Sequence, residues 1–514
     1  MRLPRSKRLN DQRHQSTVMK FILLLMGAAL ILNSLNLGLE PKPTTTNIST
    51  INIAARNDED PSTSRVSSQE PDYIGPCEMA SDVERGLLYV AQVDTPAIAV
   101  IDVETDQITR RIDLRSAPTG LCLSPTGTRL YVTCEGPLVE NEEVGEMRQD
   151  PQGVVRVIDT ATGETSDMIR VGCGARGPCI SPDGTTLYVC NRFDNDLAVI
   201  DFETKQEIRR IQCVREPFDA VVTSDGHKVF VANRLPVHAR EWYDIAAELT
   251  IINTDTWKTN SIRYFNGSTC MGNLCVSPDG KYLYAVGICS FYSAHAYKRI
   301  TNILLIINIE KEELLTSILL DLPDPERADD SWYYQNVALG TSDPYDVVAS
   351  EDGSKLYVTL AGITDLIIID AAAMHAKLDA LPKTDEELWA IREASGDTEH
   401  DPDDYLGNLT LDDVPYDLEF LDGMRIHGYL PGKGTRGAAV FDDDVYVALY
   451  FEDAIAHFEW RIPNFKRPIL TSEIELGPEP VLSEARRGEL LFQDATIAHK
   501  QYCSCATCHP DGRV

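Results

Sequence analysis

The chain has few positive charges for its length. Its 514 residues contain 47 Lys and Arg against 80 Asp and Glu, which gives a net charge of −33. A phosphate backbone would be repelled by such a surface, so we exclude nucleic acid as a partner. Hydrophobic residues make up 43% and charged residues 25%, which is typical of a globular protein rather than a disordered one. At this length we expect two domains or one large repeat domain.

Long apolar runs are also scarce. The main one is residues 21–32, and it follows a basic stretch that contains Arg2, Arg5, Lys7, Arg8, Arg13 and Lys20. This pattern predicts a signal peptide or a retained signal anchor in residues 1–39, and no A-x-A cleavage site decides between them. Both alternatives place the rest of the chain outside the cytoplasm, in the periplasm or at the cell surface, secreted or anchored to the membrane. Residues 40–72 are rich in Pro, Thr, Ser and Asn, which predicts a flexible linker.

Some catalytic and metal-binding patterns are missing. The sequence shows no nucleophile beside a base and no glycine-rich phosphate loop, so it gives no support to a hydrolase. Residues 372–414 include an acidic stretch, Asp379 to Asp404, without the ordered ligand spacing of a calcium loop. We expect a solvated helix-loop excursion there.

A repeat fills residues 73–480. Each copy has a tight turn before a strand that resembles Leu-Tyr-Val, and a later strand that ends in Ile-Asp or Ile-Asn. The turns include Ser124-Pro125-Thr126-Gly127, Ser181-Pro182-Asp183-Gly184, Ser224-Asp225-Gly226, Ser277-Pro278-Asp279-Gly280 and Ser350-Glu351-Asp352-Gly353. Asp-Gly favours tight hairpins, and the flanking residues are β-branched or aromatic. Seven Leu-Tyr-Val-like strands predict an all-β fold, a seven-bladed β-propeller.

The second strand of the repeat carries a family resemblance. Val189-Cys190-Asn191-Arg192 and Val231-Ala232-Asn233-Arg234 resemble the YVTN family of propeller repeats. The resemblance covers most of residues 73–480. It implies the fold and says little about activity, since propellers host many functions.

The repeat also assigns several cysteines. Cys122, Cys179 and Cys275 lie two residues before the Ser of the turn, and Val222 and Val348 occupy the same place in other blades. We therefore expect a small apolar site in an inner strand rather than metal ligands. The pairing of the other cysteines is not readable from the sequence, although isolated disulfides are compatible with an extracytoplasmic protein.

Four lengthened loops fall on one face of the predicted propeller: 136–153, 235–248, 287–301 and 321–343. Their aromatic residues are Trp242, Tyr243, Phe291, Tyr292, Tyr297, Trp332, Tyr333 and Tyr334. This face is a candidate docking surface for a redox protein partner, or for a protein or glycan ligand. The alternative is that the loops pack on one another. His238 and His295, in the same loops, are weaker candidate metal or haem ligands.

The last residues contain a chemical motif. Cys505-Ala506-Thr507-Cys508-His509 is a C-x-x-C-H pentapeptide, the attachment signature of c-type haem. Two thiols at this spacing reach the two vinyl groups of one porphyrin, and the adjacent imidazole ligates the iron. A half zinc site or a coincidence is the alternative.

Residues 481–514 resemble the start of a cytochrome c domain. A helix is predicted at 484–492, and Arg-Gly-x-x-Leu-Phe before C-x-x-C-H is similar to the dihaem cytochrome c peroxidase and MauG-like family. The resemblance implies thioether bonds at Cys505 and Cys508 and an iron ligand at His509. Cys503 is extra, and His499 is either a distal ligand or a surface residue. The catalytic residues are unknown.

About thirty residues cannot bury a porphyrin. We expect either a longer product or a vestigial haem domain. The sequence thus predicts an extracytoplasmic haem c-binding protein for electron transfer, with peroxidase-like oxidoreductase activity if the chain continues beyond residue 514. The alternative is a non-enzymatic surface propeller that binds protein or glycan.

Overall fold

A computed structural model describes most of residues 73–509. The gaps are residues 137, 141–146, 150–151, 237–245, 265–267, 294–295, 324–336, 384, 396–409, 412–413, 443, 460–468, 499–500 and 502. The predicted signal or anchor segment (1–39) and linker (40–72) therefore lie outside the described residues. In the described part of the chain, no helix is long and apolar enough to cross a bilayer.

Seven four-stranded antiparallel sheets form the body of the protein, which confirms the predicted seven-bladed β-propeller. Within each blade, strands A to D follow one another in sequence order, so the A–B, B–C and C–D connections are hairpins or insertions. Each A strand contacts the A strand of the next blade, and β29 of the last blade contacts β1 of the first. The A strands therefore surround a central channel, and the ring closes between blades 7 and 1.

The strand bounds in blades 1 to 3 are β1 (Pro76–Asp82), β2 (Leu87–Gln92), β3 (Ala97–Asp102), β4 (Gln107–Asp113), β5 (Pro118–Leu123), β6 (Arg129–Cys134), β7 (Leu138–Glu140), β8 (Met147–Gln149), β9 (Gln152–Asp159), β10 (Thr165–Cys173), β11 (Ala175–Ile180), β12 (Thr186–Asn191), β13 (Asp196–Asp201) and β14 (Gln206–Gln212). The pair β7–β8 is a separate hairpin inserted in the B–C loop of blade 2.

Blades 4 to 7 contain β15 (Pro217–Val222), β16 (Lys228–Asn233), β17 (Glu248–Asn253), β18 (Thr259–Arg263), β19 (Ser268–Val276), β20 (Tyr282–Ser293), β21 (Ala296–Asn308), β22 (Glu313–Leu319), β23 (Leu322–Pro323), β24 (Val337–Leu339), β25 (Pro344–Ala349), β26 (Lys355–Leu360), β27 (Asp365–Asp370), β28 (Arg425–Tyr429), β29 (Thr435–Phe441), β30 (Asp444–Leu449), β31 (Ala454–Glu459) and β32 (Ile469–Glu475). The short pair β23–β24 precedes blade 6.

The repeated turns have a local chemical cause. In blade 3, the Ser181 hydroxyl donates to Asp183 and accepts the N–H of Thr186 at 2.9 Å, while Gly184 adopts a φ of +73°. A residue with a side chain is strained at this φ, so glycine is favoured there. The turn of blade 4 shows the same bonds one residue earlier than the sequence predicts, with Thr223 in the place of the serine.

This shift corrects one assignment. Cys179 lies opposite Tyr188 on the neighbouring B strand, and the residue in that register of blade 4 is Val221, not Val222. The small apolar nature of the position is unchanged. Burial raises the pKa of Cys122 to about 12, as expected of a packing residue that stays protonated. No disulfide is found among the twelve cysteines whose side chains the structure describes.

The excursion after Asp370 is less solvated than predicted. It contains helix α1 (Ala371–Ala380), helix α2 (Asp385–Ser395) and a 3-10 helix (Val414–Tyr416). Asp370 caps α1 by accepting the N–H of Ala373 at 2.8 Å. Met374 and Leu378 on α1 are buried in the apolar cluster of blades 5 and 6. The first helix is therefore part of the core, because its apolar residues at i and i+4 face the propeller.

Candidate functional site

The residues after blade 7 dock on the face of the propeller that carries the B–C and D–A loops. Helix α3 (Glu484–Gln493) agrees with the helix predicted at 484–492. Ser483 caps it by accepting the N–H of Arg486 at 3.2 Å. The Ser483 N–H donates to the Tyr73 hydroxyl at 2.6 Å, and that hydroxyl donates to the carbonyl of Val481 at 3.1 Å. The start of α3 is thereby fixed to the residues that precede blade 1.

Arg486 anchors α3 across the joint of the ring. Its side chain is only 6% exposed, and its guanidinium lies 2.8 Å from the carboxylate of Asp94 in blade 1 and 2.9 Å from Glu489 on α3. It also donates to the Tyr450 hydroxyl of blade 7 at 2.7 Å and stacks 4.1 Å from the centre of that ring. Because Asp94 and Tyr450 belong to the first and last blades, one side chain joins both to the helix.

The chain after α3 is held by blades 6 and 7. Asp494 accepts the N–H of Thr496 at 2.8 Å, and the Lys433 ammonium donates to the same carboxylate. A 3-10 helix (Ala495–Ile497) follows. Ala495 is fully buried, and its N–H donates to the carbonyl of Gly362 at 2.8 Å. These contacts bring the chain back over the propeller before the cysteine motif.

Asp343 holds the one-turn helix α4 (Cys505–Cys508). Its carboxylate accepts the hydroxyl of Ser504 at 2.6 Å and that of Thr507 at 2.5 Å. Ser504 and Thr507 also form a capping box, which starts the helix at Cys505. Burial raises the pKa of Asp343, and the hydroxyl donors oppose that rise by stabilising the carboxylate. The two middle positions of the motif thus face the propeller, Thr507 toward Asp343 and Ala506 toward the channel.

The three predicted haem-binding residues lie on the other side of α4. Cys505, Cys508 and His509 are all exposed, while Thr507 between them is buried. Cys505 and Cys508 are three residues apart and therefore share one face of the helical turn. The backbone N–H of His509 donates to the carbonyl of Cys505 at 3.0 Å, which ends the helix. The structure therefore brings both thiols and the imidazole together at the surface.

Cys503 lies beside the motif, although the cytochrome c pattern does not use it. It is partly buried, and burial, followed by the neighbouring thiols of Cys508 and Cys505, raises its pKa. His499 lies outside the described residues. The same holds for His238, His295 and the side chains of all the aromatic residues predicted on the loop face.

A cavity of about 650 Å³ lies at the mouth of the channel, under α3 and α4. The propeller contributes Glu78, Arg176, Phe218, Tyr345 and Arg436 among others, and the C-terminal segment contributes Gly488, Glu489, Phe492, Gln493 and Ala506. Arg176 pairs with Glu78 at 3.0 Å and lies 3.7 Å from the centre of the Phe218 ring. Tyr345 donates to Glu78 at 2.9 Å. Glu78 therefore binds both Arg176 and Tyr345 in the cavity wall.

Two carboxyl groups lie on A strands in the channel wall, Asp346 buried and Asp219 partly buried. Burial, with a smaller contribution from the nearby Glu78 carboxylate, raises the pKa of Asp219 to about 6 and that of Asp346 to about 7. Asp219 accepts the N–H of Leu274, and Asp346 accepts the N–H of Ala438, both at 2.9 Å. Each carboxyl group thus connects two neighbouring blades.

The sequence shows the C-x-x-C-H motif but gives no sign of the residues that hold its segment on the propeller. Arg486 was inside the predicted helix, yet nothing in the local pattern marks it as buried. Asp343 is the last residue of a predicted loop extension, and its partners Ser504 and Thr507 are more than 160 positions away. No periodic signal connects them.

No family model matches this chain. A curated protein, Antigen Lp49 of Leptospira interrogans serogroup Icterohaemorrhagiae serovar copenhageni, is 29% identical over 133 residues. The aligned part is 25% of this chain and 29% of that protein, so the chain spans under a third of that relative's length.

Two solved structures are similar to this chain to different degrees. A chain of Kuenenia stuttgartiensis hydrazine synthase has a TM-score of 0.58 at 19% identity, over 77% of this chain and 98% of that one. At this identity the likeness shows the fold alone. A protein of unknown function from Desulfotomaculum acetoxidans DSM 771 has a TM-score of 0.42 at 14% identity, over 58% of this chain and 83% of that one.

Proposed function

We propose that this chain is an extracytoplasmic haem c-binding protein for electron transfer, in which the propeller holds and presents the haem motif. The observation that carries the proposal is the arrangement of α4. Two free thiols and an imidazole are exposed on one turn, and a partly buried carboxylate, Asp343, holds the opposite side of that turn.

The donor set fits haem c. Cys505 and Cys508 are not joined in a disulfide, so both are available for thioether bonds, and His509 follows directly as the iron ligand. When bound, the haem would supply a one-electron Fe(III)/Fe(II) couple whose potential depends on the axial ligands. Leu491 and Ile497 on the same segment are 46% and 64% exposed, which offers apolar surface to a group of this kind.

The residues around the motif keep it in place. The capping box of Ser504 and Thr507 fixes the helical turn, and Asp343 fixes the orientation of that turn on blade 6. At the other end of the segment, Arg486 attaches α3 to blades 1 and 7. Positioned donors lose little conformational freedom when they bind a cofactor. The propeller is therefore proposed as a rigid base for the cofactor and as a binding platform.

The finer parts of the proposal come from the sequence resemblances. The YVTN-like repeats support the propeller platform, and the similarity to dihaem peroxidases supports a peroxidase-like oxidoreductase in a product longer than residues 1–514. The basic and apolar N-terminus supports export, which haem c attachment also requires. A redox protein partner is proposed to bind on the loop face.

Covalent haem attachment tests the proposal. The chain is expressed with its own N-terminus in a bacterial host that has a haem c maturation system, and the exported protein is stained for haem after denaturing electrophoresis. We expect a haem band that survives denaturation, and we expect the double variant C505S/C508S to lose it.

Cys503 provides the matched control. C503S removes a thiol of the same segment that lies outside the C-x-x-C-H spacing, so it should keep the band. A correctly exported chain without covalent haem would overturn the proposal and favour the non-enzymatic surface propeller that binds protein or glycan. A band that persists in C505S/C508S would show attachment elsewhere and would also contradict it.

A further inference from the structure

One position distinguishes blade 7 from the six other blades. In every blade the central aromatic residue of strand B is paired with one residue of strand C, and in blades 1 to 6 that residue is Val or Ile. The pairs are Tyr89–Val100, Tyr131–Val157, Tyr188–Val199, Phe230–Ile251, Tyr284–Ile306 and Tyr357–Ile368. In blade 7 the partner of Tyr446 is His457. An imidazole thus occupies a core position that is aliphatic everywhere else in the ring.

The ring of His457 is held in one orientation. It is 3% exposed and stacks on Tyr446, with ring centres 4.2 Å apart and planes inclined by 16°. Its Nδ1 lies 2.9 Å from Oδ2 of Asp106, which belongs to the C–D turn of blade 1. The Ser472 hydroxyl donates to the same carboxylate. When Nδ1 donates its proton to Asp106, the lone pair of the neutral ring lies on Nε2.

Nε2 faces the carboxylate of Asp444. It is buried and has no hydrogen-bond partner in the described structure, and Oδ2 of Asp444 lies 3.6 Å away. Asp444 and Glu459 are both two residues from the Tyr446–His457 pair, so the period of the strands places all four on one face of the blade. Ligand atoms of Asp444, His457 and Glu459 lie within 4.8 Å of one another.

We propose that Asp444, His457 and Glu459 bind a divalent transition-metal ion, with Zn²⁺ as the best match. One imidazole nitrogen and two carboxylates form a ligand set that suits Zn²⁺, whereas Ca²⁺ and Mg²⁺ prefer oxygen alone. In a tetrahedral zinc site the ligand atoms are roughly 3.3 Å apart, so the observed separations need only small side-chain movements. The Asp444 side chain is 37% exposed, which gives the ion access from solvent.

A metal ion at this site would stabilise the closure of the ring between blades 1 and 7. Asp106 is a residue of blade 1, while the three ligands belong to blade 7. A carboxylate that accepts the second imidazole proton fixes the ring and makes the other nitrogen a better ligand. A metal ion on Nε2 therefore strengthens the contact between the first and last blades, and its binding should stabilise the folded propeller.

Zinc binding by the full chain tests the proposal. Exposed thiols are first alkylated, so that Cys505 and Cys508 do not bind the added metal. Zn²⁺ alone is then titrated in equilibrium dialysis, and thermal unfolding is measured with and without it. We expect the wild-type chain to bind one more Zn²⁺ than H457V does, and to unfold at a temperature that rises with Zn²⁺ only when His457 is present.

Four variants distinguish zinc binding at this site from zinc binding at other histidines and from a loss of folding. H457V introduces the residue type of the other blades and should fold, which circular dichroism checks; if it does not, E459Q replaces it and should also lose the ion. D106N should weaken binding about tenfold or more. H227A, which removes an exposed histidine 3.0 Å from Asp255, should bind like wild type. Equal zinc stoichiometry in wild type and H457V, or no zinc binding by wild type, would overturn the proposal.

Discussion

The blades and the C-terminal segment are held together by different forces. Each blade buries aliphatic and aromatic side chains, for example Phe230 and Leu249 in blade 4, which are fully buried. Among the described residues from 477 to 509, the buried side chains are one alanine, Ala495, and four polar groups: Arg486, Asp494, Ser504 and Thr507. Apolar burial contributes a large and non-directional stabilisation, whereas these polar contacts are few and directional. The segment is therefore positioned accurately and attached weakly.

The largest effect is expected inside a blade. Phe230 is fully buried, so F230A should lower the free energy of unfolding of the whole propeller by about 3–5 kcal/mol, through lost burial and a cavity. Urea unfolding followed by circular dichroism measures it. F193A is the matched control, because Phe193 is 51% exposed and its loss should cost much less. Similar costs for the two variants would contradict the assignment of the blade core as the main source of stability.

A smaller effect, confined to the local opening of helix α3, is expected in the C-terminal segment. R486M keeps the apolar stem but leaves the carboxylate of Asp94 without its partner, so α3 should detach more easily by about 2 kcal/mol. Hydrogen exchange of residues 484–493 should accelerate about 30-fold, while the exchange of the blades stays unchanged.

Arg487 is the neighbouring control for that experiment. It is exposed, so R487M should leave the exchange of α3 as in the wild type. If R486M instead slowed folding or loosened the blades as F230A does, the segment and the propeller would have to be regarded as one cooperative unit.

The smallest expected effect is a change in how the free energy of unfolding depends on pH, caused by Asp346 in the channel wall. The pKa of Asp346 is about 7 because of burial, well above the usual value of about 4 in the unfolded chain. The native state therefore binds a proton more tightly, and the stability that this proton provides is lost as the pH rises from about 4 through 7. D346N should remove this loss, so the variant should gain about 1 kcal/mol relative to wild type between pH 6 and pH 7.

Thermal unfolding at several pH values measures the change. D279N is the control, since partial burial would raise the pKa of Asp279 but the hydrogen bonds from Ser277 and Lys281 lower it to about 2. That residue does not titrate between pH 5 and pH 8. An unchanged pH profile in D346N would show that Asp346 is ionised in the folded protein.

The repeat predicted the propeller because its determinants are local. In blades 3 to 6, the hydroxyl-to-aspartate bond of the turn and the positive φ of its glycine involve residues within five positions of one another. In blade 4 the hydroxyl that binds the turn aspartate belongs to Thr223, not to Ser224. The Ser-Asp-Gly pattern in the sequence therefore placed this turn one residue too late. The buried face of α1 was missed for a related reason: its apolar residues are two among many polar ones, and only the neighbouring blades show that they are covered.

The candidate site also has features that the sequence predicts and contacts that only the tertiary structure shows. By itself, the sequence determined the seven blades and a helix that begins at Glu484, and it contains the C-x-x-C-H pattern of Cys505, Cys508 and His509, since each depends on residues close together in the chain. Only the tertiary structure decided that Asp343 holds the motif, that Arg486 joins α3 to two blades, and that His457 meets Asp106. The bonds Asp343–Thr507, Arg486–Asp94 and His457–Asp106 join residues more than 160 positions apart. The last two exist only because a closed ring brings its first and last blades side by side.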